Sequence, residues 1–232
     1  MPEGSDTISI VNPEIQGIRP NSPLHWGRAG NGMAWHHVIP YSLLRGVWNR
    51  LVGQHIATDL PEARVTIRQY LSLCDRGLQG IDEKLDKMRF EDEERRRAGH
   101  YRLEQLSTPE VNELQTAAVW PAWNIVGGPT GTSRRDDPEK LDLDIDRFMV
   151  GLRPPERDRM RTIEDLSTRL QAFVDSGPEP DGAALHTLSS DITLARRLSG
   201  NNLVGCDLPI PFRPEMWVQE SGGLWRKRRP DE

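Results

Sequence analysis

The 232-residue chain lacks several things, and each absence removes a class of answer. It has no run of about 18 apolar residues, the length a membrane-spanning helix needs, so nothing reads as a membrane span. It has only two cysteines, Cys74 and Cys206, with no CxxC spacing, which excludes a four-cysteine zinc site and a disulfide-stapled scaffold. Two buried free thiols in a reducing compartment are expected instead. The first residues, Met1 to Asn12, carry no basic start and no apolar stretch, so no secretory signal is expected. The expected location is the cytoplasm of the producing cell, with delivery to another cell by a secretion system left open. Positive charge is also short. Thirty Lys and Arg against 35 Asp and Glu leave a net charge of −5, which counts against a general nucleic-acid binder. The basic residues are clumped, however, at Arg95 to Arg97, Arg134-Arg135 and Arg226 to Arg229, so a local basic rim on an acidic body stays open.

What is present is a polar but foldable pattern. Residues 1–34 hold Pro2, Pro13, Pro20 and Pro23 with Gly27, Gly30 and Gly32, and read as an irregular arm around the domain, with a turn at Asn31-Gly32. Trp35 to Ile39 reads as a short strand ended by Pro40, followed by a helix with Leu43, Leu44, Val47, Trp48 and Leu51 on one face. Pro61 opens a second helix in which Ile67, Tyr70, Leu71 and Cys74 recur at helical spacing. Ile81, Leu85 and Met88 begin a third, running into the charge block Glu91 to Arg97, whose acids precede its bases as in a solvated helix. Pro109 restarts a short helix through Leu114. Val119 to Val126 reads as strand-like, Gly127 to Pro138 as a loop, and Leu143 to Leu152 as a helix. Glu156 to Val174 follows with Met160, Ile163, Leu166, Leu170 and Phe173 as its apolar face. A last helix is marked by Leu185, Leu188, Ile192 and Ala195 and stopped by Gly200. From Asn201 the chain reads as an extended, docked tail with a frayed basic end.

One local signal stands out for chemistry: Trp35-His36-His37-Val38-Ile39-Pro40. Adjacent histidines on a strand point to opposite faces, so a buried pair needs a polar partner on each side. A nuclease has a use for both rings, one on a metal and one activating water. The plainer reading is a strand edge packed under Trp35 with no metal. His25, His55, His100 and His186 stand alone and read as surface or satisfied structural groups. The seven tryptophans read as core and anchors, with base stacking open for one or two.

The segments His36-His37-Val38-Ile39-Pro40 and Trp123-Asn124-Ile125-Val126-Gly127-Gly128-Pro129 resemble the HNH, or ββα-metal, endonucleases, nearest to their His-His toxin-type variants. The resemblance covers roughly a fifth of the chain, in two pieces. It implies a metal ligand at His36, a general base at His37, and a loop brace at Asn124. A histidine near its free pKa suits proton removal at neutral pH, with its ring oriented by a backbone carbonyl. The family closes its metal site with a His or Asn shortly after the Asn-X-Val strand. Here no histidine follows Asn124 until His186, so Asp136 or Asp137 is the candidate second ligand. A His-plus-Asp site accepts Mg²⁺ or Mn²⁺, with Zn²⁺ possible. Asp136-Asp137-Pro138 also reads as an ordinary helix start. Arg134 and Arg135 would hold a phosphate by bidentate hydrogen bonds.

The expected fold is α+β and mostly α-helical, with a small ββα-metal element embedded in about six helices of a single domain. Its parts are an N-terminal arm at 1–34, a core at 35–54 and 119–152, a helical insertion at 55–118 and a helical C-terminal part at 153–232. The expected activity is metal-dependent hydrolysis of DNA phosphodiester bonds, as in antibacterial toxins, which would imply an inhibitor protein as partner. Two rivals stay open: a non-catalytic helical interaction protein, and a metal-independent RNase using the same histidines.

Overall fold

The computed structural model describes residues 13–16, 19–21, 23, 26–57, 61–74, 78, 80–87, 106–130, 153–177, 181–198 and 208–228. Among them are six α-helices and two small antiparallel sheets of two strands each, a mostly α-helical α+β fold. No helix among the described residues is long and apolar enough to cross a membrane.

The helices are α1 (Tyr41–Ala57), α2 (Pro61–Cys74), α3 (Ile81–Lys87), α4 (Thr108–Val119), α5 (Pro154–Asp175) and α6 (Gly182–Leu198). Their apolar stripes meet in one core. Helix α2 packs most widely on α6, α5 packs on α6 and α1, and α1 also packs on α2 and α4. Trp48, Leu44, Leu51, Ile67, Tyr70, Leu114, Met160, Leu170 and Ile192 are wholly or almost wholly buried there. Each large aliphatic side chain removed from water contributes on the order of 2 kcal/mol. Cys74 is a buried free thiol in this core, whereas Cys206 lies outside the described residues. The helices expected over Leu143 to Leu152 and through the Glu91 to Arg97 block also lie outside them.

The fourth helix begins at a capping box. Ser107 Oγ accepts from Glu110 N at 3.5 Å, and the Glu110 carboxylate accepts from Ser107 N at 2.7 Å. That helix does not stop at Leu114 as the sequence suggests. It runs on to Val119, because Ala117 and Ala118 are strong helix formers and both are buried. Pro121 then disfavours helix at Trp120 and forces a break. The expected strand over Val119 to Val126 is therefore corrected. Its first half is helix and a 3₁₀ turn at Ala122–Asn124, and the strand itself, β2, is Ile125–Pro129.

Strand β1 (Met33–His37) pairs antiparallel with β2 in the register His36↔Val126 and His37↔Ile125. Gly127 and Gly128, expected as loop, are interior to β2. Two close approaches explain why glycine stands there. A Cβ on Gly127 would lie 2.5 Å from Phe212 N, and one on Gly128 would lie 2.5 Å from the Trp217 ring and 2.8 Å from the His36 ring. The C-terminal segment thus lies directly on β2. Gly127 N donates to Ile210 O at 2.7 Å, and Ile210 N donates to Ile125 O at 2.9 Å.

In the C-terminal part the described α-helices are α5 and α6, the latter reaching Leu198, and residues 199–207 lie outside the described residues. Residues 208–228 end in a hairpin of β3 (Trp217–Gln219) and β4 (Trp225–Lys227), turned through Gly222 and Gly223. Within the basic end expected to fray, Arg226 and Arg228 are paired, while Arg229 lies outside the described residues. Arg226 bridges Glu220 at 3.0 Å, and Arg228 Nε donates to Glu215 O at 2.9 Å. Arg213 ties this segment to α5 through two bonds to Glu156, at 2.7 and 2.5 Å.

Candidate active site

The two histidines leave β1 on opposite sides, as strand geometry requires. His36 faces the C-terminal hairpin. It is 8% exposed, its Nε2–H donates to Pro129 O at 2.7 Å, and its ring lies 6.4 Å from that of Trp217. His37 faces the arm and the end of α4. It is 4% exposed, and its Nε2–H donates to Val119 O at 2.6 Å. A carbonyl only accepts, so the proton of each neutral ring sits on Nε2 and Nδ1 is the acceptor nitrogen. The His37 ring lies 4.4 Å from that of Trp120 and 6.0 Å from that of Tyr41. On its Nδ1 side the Arg19 guanidinium donates through Nη2.

This surrounding sets the charge of His37. Burial pushes its pKa down from 6.5 to about 3, and the positive charge of Arg19 pushes the same way. The bond to Val119 O opposes this without reversing it. His37 is therefore a neutral imidazole near pH 7, but burial beside Arg19 makes it a poor proton acceptor in this conformation, a departure from the ring near its free pKa that the sequence leads one to expect.

Asn124 holds the turn that follows His37. It is fully buried; its Oδ1 accepts from Ile39 N at 2.6 Å and its Nδ2 donates to Ile39 O at 3.1 Å. Its own carbonyl accepts from Val38 N at 2.8 Å. Three bonds thus join the 3₁₀ turn before β2 to the two residues after His37, which fixes where β1 ends. The paired segments quoted from the sequence meet in space despite the 82 residues, 41–122, between them, because α1, α2 and α4 return the chain to the same place.

The structure places Asn124 beside the turn after His37, while the rings of His36 and His37 lie on opposite faces of β1. Arg134, Arg135, Asp136 and Asp137 lie outside the described residues, as do His25 and His100. His55 is buried with its Nε2–H on Leu85 O at 3.0 Å, and His186 is exposed on α6, so both fit the readings given to them. Among the described residues there is no group of three His, Cys, Asp or Glu that could hold a metal. Of the three ligands expected from the sequence, only His36 is described, and its Nε2–H is anchored on a carbonyl as in the outer layer of metal-bound histidines.

Three contributors carried no local sequence signal. Arg19 sits in a proline-rich arm, more than a dozen residues before the histidines. The Val119 carbonyl is backbone at a helix end. Arg159, 5% exposed on α5, donates to Trp123 O and Ala122 O, both at 2.7 Å, and so clamps the 3₁₀ turn that presents Asn124. A signal did exist for Gly127-Gly128, since two glycines following the apolar pair Ile125-Val126 mark a strand approached closely by other backbone.

Comparison with known proteins finds no matching family model, no matching curated protein and no matching solved structure.

Proposed function

We propose that this chain is an HNH-type endonuclease that hydrolyses DNA phosphodiester bonds with His37 as general base. The observation that carries the reading is the mounting of His37. It ends a strand, its Nε2–H is spent on a backbone carbonyl, and the next turn is braced by a buried asparagine. A ring held this way keeps one tautomer and one direction, which is what proton removal from a positioned water requires. In the step, a water proton passes to His37 Nδ1 as the oxygen bonds to phosphorus, and the bond to the leaving O3′ breaks. Val119 O stabilises the imidazolium that results, and Asn124 keeps the ring in line through Ile39.

His36, together with Asp136 or Asp137, would hold a divalent ion, Mg²⁺ or Mn²⁺ by the oxygen-rich donor set and Zn²⁺ as the alternative. Such an ion supplies Lewis-acid stabilisation of phosphate charge. Arg134, with Arg135, would bind the phosphate. A nuclease carried as a toxin needs an inhibitor protein in the producing cell, and an acidic body with local basic clusters gives that partner charge to read.

A second reading is favoured by a specific observation. Both histidines are buried and bonded to carbonyls, which is also how structural histidines are satisfied, and a helical interaction protein could use the pair to rivet β1 to the end of β2 and to the end of α4. The discriminating experiment incubates the folded full chain with supercoiled plasmid or single-stranded RNA, in Mg²⁺, Mn²⁺, Zn²⁺ or EDTA. Metal-dependent plasmid nicking supports the nuclease. RNA cleavage that survives EDTA moves the assignment to an RNase using the same histidines and the 2′-hydroxyl. Inertness toward both nucleic acids leaves the interaction protein.

A further inference from the structure

The nitrogen of His37 that would take the proton already has an occupant. Arg19 donates to Nδ1, and a guanidinium stays protonated and has no lone pair to offer water. Its Cζ lies 4.7 Å from the Tyr41 ring centroid and 4.6 Å from that of Trp120, so the cation is sandwiched between two aromatic faces. Tyr41 and Trp120 are also the rings that pack on His37.

The segment carrying Arg19 is strapped down at both ends. Trp120 Nε1 donates to Pro20 O at 2.7 Å. On the other side, Ile15 is buried; its N donates to Asn49 Oδ1 at 2.8 Å and its carbonyl accepts from Asn49 Nδ2 at 3.1 Å. Gln115 and Trp48 hold the carbonyls of Glu14 and Pro13, both at 2.9 Å. None of these bonds belongs to a helix or a sheet ladder. A strap fixed mainly by side chains on backbone can open without unfolding the core beneath it. Arg19 also lines an open groove of mixed character with Glu14, Asn21, Val111, Asn112 and Thr116, and the arginine therefore stands between that groove and His37.

We propose that the arm, through residues 13–16 and 19–21, is a lock on His37, with Arg19 as its bolt. The locked form holds His37 dry and its Nδ1 engaged. Lifting the arm frees Nδ1 and opens the groove that the arm forms with α4, so that water and a phosphodiester can reach the ring. The consequence for cleavage rests on the nuclease reading, but the lock does not, because access to Nδ1 can be read without any substrate.

The test uses diethyl pyrocarbonate, which acylates an accessible imidazole nitrogen bearing a lone pair, with mass spectrometry locating the adduct. With Nε2–H held by Val119, the reactive atom of His37 is Nδ1. Wild type, Arg19→Ala and Asn49→Ala are compared at pH 7 with their folds matched by circular dichroism. Asn49→Ala loosens the strap without touching Arg19 or His37. Acylation at His37 is expected to rise about tenfold or more in Arg19→Ala, as losing one charged hydrogen bond implies, and by less in Asn49→Ala. Plasmid cleavage should rise in parallel. Faster acylation with no cleavage by any variant supports the lock and sinks the nuclease. Unchanged acylation at His37 in both variants overturns the lock, whatever the cleavage.

Discussion

His37 is where the chain concentrates its chemistry, and its protonation is linked to the fold. In the unfolded chain the ring takes up a proton near 6.5, whereas in the fold it does so only at about 3. Stability from the neutral ring is therefore complete above pH 6.5 and is lost as the pH falls from there toward 3. Over that window, stability in EDTA should drop by up to about 1.4 kcal/mol per pH unit beyond the background of other groups. Urea unfolding of wild type and His37→Gln at pH 7, 6, 5 and 4 reads this directly, and equal slopes for the two proteins would remove the linkage. Asn124 is the other residue whose loss is felt locally. Asn124→Ala leaves the Ile39 N–H and carbonyl buried without partners, and about 2–4 kcal/mol of stability should go with them. At this scale the sequence showed the histidine pair and the asparagine but not Arg19 or Arg159. Their partners are a ring nitrogen and two carbonyls that only the folded chain brings near.

At the scale of elements, the site depends on two thin layers pressed against β2. Gly128 admits the Trp217 ring on the side where His36 packs. Gly128→Ala should lower stability by about 1–3 kcal/mol through overpacking and should displace His36 rather than His37. The two histidine ring resonances by NMR would separate those effects. Arg159→Leu tests the other support. It strips donors from the buried carbonyls of Ala122 and Trp123, and a loss of about 2–4 kcal/mol in denaturant unfolding is expected. No change on that substitution would mean that the 3₁₀ turn holds itself. Helices α1, α2, α5 and α6 were legible from their periodic apolar residues. The end of α4 and the start of β2 were not, because Ala117 to Val119 suit either state locally and Pro121 decides between them only by forcing a break. Gly127-Gly128 reads as loop despite the signal of a glycine pair after Ile125-Val126, because what presses on it is Ile210, Phe212 and Trp217, more than eighty residues onward.

The whole molecule is a helical body that carries a small two-stranded site between an N-terminal strap and a C-terminal hairpin. Fold class was legible because helical periodicity runs through most of the chain. The two covering segments were legible as an irregular arm and a docked tail, but not where they dock, since Pro-rich stretches carry no period and their places are set by individual contacts such as Trp48 to Pro13 and Arg213 to Glu156. Half of the expected site, from Arg134 to Asp137, lies outside the described residues, so the claim of catalysis rests on His36, His37 and Asn124. Its most direct test is plasmid cleavage in Mg²⁺ and Mn²⁺ by wild type and Arg19→Ala, each alongside its His37→Ala counterpart, with EDTA as control and folding verified for all four. The account predicts metal-dependent nicking that is stronger in Arg19→Ala and is lost in both His37→Ala proteins. Intact plasmid with folded wild type and folded Arg19→Ala, or nicking that persists without His37, would contradict it.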